Sequence, residues 1–229
     1  MHISEKLLWF GLRSCLYCGS LDRGADGLCE ICSEDLWSWQ KIGGGLFHQK
    51  IHKLEVQTLF HWIPGKQEVL SRLVRELKGT QGRKLWQVYA GEFAKQVTLD
   101  KAVKRKPILL IPAPSRKGEK DHALLFAEAL TAERPHIEIY NCLSRHSSGS
   151  QKKKSRSQRQ RARVEWAENF TLPDFQAKAV GKKVIFIDDI VTTGSTAMAA
   201  WKALEKPRDF AVWALAQRGL SCGASRYLI

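Results

Sequence analysis

Val184-Ile185-Phe186-Ile187-Asp188-Asp189-Ile190-Val191-Thr192-Thr193-Gly194-Ser195-Thr196 is the stretch that decides the fold. Four apolar residues lead into two carboxylates, then a hydroxyl-rich turn, then the helix-like segment Ala197-Met198-Ala199-Ala200-Trp201-Lys202-Ala203-Leu204. The order predicts a buried strand, an acidic edge, a turn and a helix start. Such a turn aims backbone N–H groups, hydroxyls and a helix N-terminus at one place, which makes a cradle for phosphate. Two acids beside it suit a sugar phosphate: the carboxylates accept from hydroxyls and the cradle donates to the phosphate. An ordinary strand–loop–helix unit capped by Ser195 or Thr196 would use the same turn. It would not need adjacent aspartates, whose charges repel.

Outward from this stretch, strands and helices alternate. Residues 54–62 alternate like a strand opening the main domain. Apolar residues at Val69, Leu70, Leu73, Val74 and Leu77 have helical spacing. Lys78-Gly79 ends that helix, and a second begins over residues 82–95. Residues 101–106 read as a basic connector. Pro107-Ile108-Leu109-Leu110-Ile111 reads as a central strand of a parallel sheet, buried on both faces. Residues 123–132 form a helix, 137–140 a strand candidate and 210–216 a last strand. The prediction is an α/β fold, a mainly parallel sheet flanked by helices, with ligands at the carboxyl ends of its strands. After the central strand, Pro112-Ala113-Pro114-Ser115 stiffens the backbone. Ser115, Arg116 and Lys117 can then donate to anionic oxygens, unless this is only a Pro-rich turn with a solvated basic tip.

Four of the six cysteines fall at Cys15-x2-Cys18 and Cys29-x2-Cys32. Each pair can offer two thiolates to one tetrahedral ion, and four thiolates leave no open position, which describes a structural Zn²⁺ site. Two disulfides, a redox pair or an iron–sulfur cluster are the competing readings. Cys142 and Cys222 read as buried small hydrophobes. Gly43-Gly44-Gly45 marks a hinge or turn, so residues 1–45 are expected as a zinc-binding module and residues 46–229 as the main domain. His48, His52 and His61 stand at no ligand spacing.

Lys and Arg number 37 against 23 Asp and Glu, a net charge of +14. That balance favours polyanions: nucleic acid, phosphorylated metabolites or an acidic membrane surface. The densest basic run holds seven cations between Lys152 and Arg163, with no acid over residues 144–164. Like charges this close repel, so a solvated loop is expected in the absence of an anion. Lys152, Lys153, Lys154, Arg156 and Arg159 would contact single-stranded nucleic acid, or the loop would close over pyrophosphate. No apolar run approaches a membrane span. The short patch Leu7-Leu8-Trp9-Phe10 is no signal-peptide core, so a cytoplasmic location with reduced thiols is expected.

The 184–196 stretch resembles the 5-phosphoribosyl-1-pyrophosphate (PRPP) motif of the type I phosphoribosyltransferases at every position. With the four cysteines, Leu77-Lys78-Gly79 followed by Gly82-Arg83, Pro112-Ala113-Pro114-Ser115-Arg116 and Gln151…Arg156…Arg159, the chain resembles the ComF family of competence-associated, phosphoribosyltransferase-like proteins. It departs from the family at Gly118-Glu119-Lys120-Asp121-His122-Ala123, where members usually carry an Arg-rich run and then Gly-Phe-Asn-Gln. The resemblance implies a type I phosphoribosyltransferase fold with an N-terminal zinc finger, and a cytosolic role in handling incoming DNA beside competence-machinery proteins.

On that resemblance, Mg²⁺-PRPP would set its 5-phosphate on Thr192, Thr193, Gly194, Ser195 and Thr196. Asp188 and Asp189, the catalytic pair, would hold the ribose 2- and 3-hydroxyls directly or through metal and stabilise positive charge at C1, and pyrophosphate would rest near Ser115, Arg116 and Lys117. One function class is transfer of phosphoribosyl to a nitrogen nucleophile. A built-in glutaminase is not expected, because the chain starts Met1-His2 rather than with a cysteine nucleophile. A second class is a non-catalytic single-stranded DNA-binding protein that senses the ligand, and a third is a zinc scaffold for protein partners.

Overall fold

The computed structural model describes residues 14–42, 45–79, 82–99, 106–115, 121–133, 136–145 and 164–219. Helix α1 (Glu30–Ile42) leads to the hairpin β1 (Phe47–Ile51) and β2 (Leu54–Trp62). Helices α2 (Glu68–Leu77) and α3 (Gly82–Leu99) follow, then β3 (Ile108–Pro112), α4 (His122–Glu133) and β4 (Ile137–Ile139). A ribbon of β5 (Leu143–Arg145) and β6 (Val164–Trp166) precedes α5 (Leu172–Ala179), β7 (Lys183–Val191), α6 (Ser195–Ala203) and β8 (Phe210–Arg218).

The main sheet has the order β1-β2-β8-β7-β3-β4. Only β1 runs antiparallel to its neighbour; the other pairings are parallel. The expected α/β class with a mostly parallel, helix-flanked sheet is what the chain adopts. The reason lies in β3, β7 and β8, whose residues are apolar on both faces and therefore need helices on both sides. Ile108 to Ile111 of β3 and Ile185 to Ile187 of β7 are all at most 1% exposed. Connections give the site its place: from β3 the chain moves outward to β4, whereas from β7 it moves the other way to β8. Strand order therefore reverses between β3 and β7, and the crevice at such a reversal is where open α/β sheets bind ligands.

On the sheet, Phe93 of α3 meets Phe126 of α4 edge to face and Trp213 of β8 at a tilt, each at 5.5 Å between ring centres. Trp37 of α1 packs on Phe60 of β2 and on Tyr89 of α3. Cys15, Leu28, Cys29, Cys32 and Leu36 thus belong to the same apolar core as the sheet. Gly43 and Gly44, read as a hinge, lie outside the described residues, and so does Cys222. Cys142 is buried as expected, and burial pushes its thiol up to about 12. No helix among the described residues is long and apolar enough to cross a membrane.

Candidate functional site

The acidic pair does not stand past the strand end. Strand β7 continues through it to Val191, because β8 extends its ladder with Asp188↔Ala214, Ile190↔Ala216 and Val191↔Gln217. Asp188 Oδ1 accepts from the Asp189 N–H at 2.9 Å, and Asp189 Oδ1 accepts from the Ile190 N–H at 2.8 Å. Lys78, the residue capping α2, places its Nζ 2.7 Å from Asp189 Oδ2. Burial and the neighbouring Asp189 charge push Asp188 well above the ordinary carboxylate range. Burial acts on Asp189 in the same sense, but Lys78 outweighs it and holds that carboxyl low. Among the described residues one cation serves two acids, so ionisation is disfavoured at Asp188 and favoured at Asp189.

The turn beyond β7 is shaped by Gly194. Its φ of +69° is left-handed, and a Cβ there would stand 2.8 Å from Ile51 Cγ2. Both facts call for glycine. Gly194 is the N-cap of α6 and brings no side chain to its first N–H groups, so those donors stay open toward an anion. Thr192, Thr193 and Ser195 are exposed and Thr196 is half-buried.

One strand over, Pro112 of β3 lies opposite Ile187, and the Ala113 N–H donates to the Ile187 carbonyl at 2.7 Å. The Pro-Ala-Pro-Ser loop therefore starts beside Asp188, with Ser115 half-buried at its end. Asp188, Asp189, residues 192–196 and Ser115 gather at the carboxyl ends of two neighbouring strands. Arg116, Lys117, Lys152, Lys153, Lys154, Arg156 and Arg159 lie outside the described residues. The ribbon that carries the basic run does not: β5 pairs with β6 through Arg145↔Val164, and β6 packs on α6. No pattern in the sequence gives Lys78 a role in the site. Its only signal was its place in Leu77-Lys78-Gly79, just past a helix end.

The second centre is the cysteine cluster. The Sγ atoms of Cys15, Cys18, Cys29 and Cys32 all lie within 4.8 Å of one another, and Cys18 and Cys29 approach to 3.6 Å. Four sulfurs around Zn²⁺ at about 2.3 Å stand roughly 3.8 Å apart, so the cluster matches a tetrahedral ion. The Cys15 N–H donates to Ser20 O at 2.7 Å and the Gly19 N–H to Cys15 O at 3.1 Å, which closes the first knuckle. Cys29 and Cys32 flank the start of α1. Between the knuckles, Asp26 accepts from the Leu28 N–H and the Ser33 hydroxyl. Burial raises the Cys15 thiol, but N–H donors of Cys18, Cys29 and Tyr17 outweigh it and bring it to about 6. Burial and the neighbouring sulfurs push Cys32 upward. Four soft donors, three of them buried and only Cys18 exposed, suit structural zinc with no open coordination position for a substrate. Among the described residues no other cluster brings together three or more ligating groups.

No family model matches the chain, and no curated protein matches its sequence.

Proposed function

We propose that this chain binds PRPP at the crevice between β3 and β7 and is a phosphoribosyltransferase-like protein of the ComF kind. The observation that carries the reading is the meeting, at the reversal of strand order, of the Asp188–Asp189 pair, the hydroxyl turn and the Pro-Ala-Pro-Ser loop. The 5-phosphate takes the open N–H groups and hydroxyls of residues 192–196. The ribose 2- and 3-hydroxyls meet the two carboxyl groups, with Asp189, whose charge Lys78 favours, accepting. Pyrophosphate lies toward Ser115, with Arg116 and Lys117 next in sequence.

In a transfer reaction the C1–O bond breaks and pyrophosphate leaves with the electron pair. A nitrogen nucleophile then forms the C1–N bond and gives its proton to solvent. The nearby carboxylate charge stabilises the positive charge developing at C1. Two carboxylates are too few to hold Mg²⁺ alone, which suits an ion that arrives on the pyrophosphate and neutralises the leaving anion. The zinc centre is structural in this reading, and cysteines that serve as metal ligands fit a reducing, cytoplasmic setting.

A second reading follows from the charge of +14: a protein that holds PRPP as a signal and binds single-stranded DNA through residues 152–159. The resemblance adds DNA handling in natural transformation and competence-machinery partners. Calorimetric titration with PRPP and Mg²⁺ tests the site. Binding is expected in the parent and lost in Asp188→Asn/Asp189→Asn at unchanged fold; equal affinity in that variant would overturn the assignment. Pyrophosphate release in the presence of a panel of bases separates transferase from sensor.

A further inference from the structure

The four-cysteine centre and the acidic pair are joined by one helix. At the start of α2, Glu68 Oε2 accepts from the Tyr17 hydroxyl at 2.9 Å. One turn on, Arg72 Nε donates to the carbonyl of Leu16 at 3.2 Å and its guanidinium pairs with Glu76 at 3.1 Å. Leu16 and Tyr17 are the two residues between Cys15 and Cys18, so both contacts grip the first metal knuckle. The other end of α2 is capped by Lys78, whose backbone N–H returns to Arg75 O and Glu76 O while its ammonium reaches Asp189. The helix packs on α1 and α3, and α3 is pinned to the same module by the Tyr89 hydroxyl on Asp26 O at 3.0 Å. A Cβ on Gly27 would stand within 3 Å of both Leu16 and Leu85, so the module seats closely on α3 as well.

We propose that the four-cysteine module is a bracket for the ligand site: through Tyr17 and Arg72 it fixes α2, and α2 holds Lys78 on Asp189 as a positioning residue. The module then acts on the site without touching a ligand. Loss of the metal frees the first knuckle, lets α2 shift and withdraws the cation from the acidic pair. This extends the PRPP reading, but its physical core, the coupling of knuckle to Lys78, stands apart from the ligand's identity.

The test uses the full-length, zinc-loaded chain and measures how fast Lys78 is acetylated by an N-hydroxysuccinimide ester, read by mass spectrometry against the exposed Lys53 and Lys202. An ion-paired ammonium reacts slowly. Asp189→Asn gives the released rate. Tyr17→Phe/Arg72→Met, which keeps every metal ligand, is expected to raise Lys78 labelling roughly fivefold or more toward that rate with zinc content unchanged. Chelation of the parent is expected to do the same. Lys78 labelling at the parental rate in the double variant overturns the proposal, whether or not the stripped chain stays folded. PRPP affinity is measured alongside: a fall of roughly tenfold is expected in the double variant and in Lys78→Met, with recovery in Lys78→Arg. Should the parent fail to bind PRPP, the ligand reading fails, and the labelling still decides the bracket.

Discussion

Gly194 is where the turn's geometry can be tested by a single methyl group. Gly194→Ala must hold a left-handed φ and push against Ile51, which together cost about 2–4 kcal/mol. Urea unfolding should register that loss, and Ile51→Ala in the same chain should restore part of it by removing the clash but not the strained backbone. Asp188 supplies a test of the opposite sign. Its folded-state pKa lies above the ordinary carboxylate value near 3.9, because burial and Asp189 disfavour its charge. The native state therefore binds the extra proton, and stability from this group falls as pH rises above that ordinary value toward the folded one. Asp188→Asn removes the fall: relative to the parent its unfolding free energy should gain as pH rises above the ordinary carboxylate value, while PRPP binding is lost. A variant destabilised equally at low and at neutral pH would count against a raised folded-state pKa at Asp188. Lys78 marks the limit of reading at this scale. The adjacent aspartates stand out in any sequence, but their cation arrives from over a hundred residues away in the chain, and no local pattern pairs Lys78 with Asp189.

Elements with a strong period were legible, and the short ones were not. The alternation of residues 54–62 became β2, the helical spacing after Gln67 became α2, and the apolar runs became β3 and β8, displaced by a residue or two at their ends. Strand β1 escaped notice because Phe-His-Gln-Lys-Ile is a short polar edge strand whose order comes from pairing with β2. Strands β5 and β6 have three residues each and exist only through one another, across the intervening basic run. Helix α5 did carry a signal, Thr171 with Asp174 three residues on; the Thr171 hydroxyl accepts from the Asp174 N–H at 3.4 Å, the geometry of an N-cap. The ribbon gives the prediction at this scale. Because Arg145 and Val164 already pair, replacing residues 146–163 by Asn-Gly offers the turn that a two-residue hairpin wants. The variant should keep the parental melting temperature and lose single-stranded DNA affinity by roughly tenfold or more at moderate salt. Unchanged DNA affinity by fluorescence anisotropy would remove the run from the DNA-binding reading.

At the scale of the whole molecule, the cysteine centre shares one core with the sheet, so its metal is expected to stabilise the entire chain rather than an appended module. Cys15, Cys29 and Cys32 are buried together with Leu28 and Leu36, and Trp37 carries α1 onto β2 and α3. Zinc removal should therefore lower a single unfolding transition instead of melting a separate early phase, by roughly 2–4 °C for each kcal/mol of metal-binding energy lost. Two resolved transitions by calorimetry, the first one metal-dependent, would mean the module folds apart from the sheet. The pH dependence has a defined sign. Coordination needs thiolates, and without a metal burial and its sulfur neighbours hold Cys32 protonated, whereas Cys15 ionises near 6. Metal binding must then expel protons from the cluster, and each proton expelled makes affinity rise by roughly tenfold per pH unit. Competition with a chromophoric chelator should find zinc held far more tightly at pH 8 than at pH 6, with proton release measurable in weak buffer. A pH-independent affinity would mean that the thiols are already ionised and that burial does not hold Cys32 protonated.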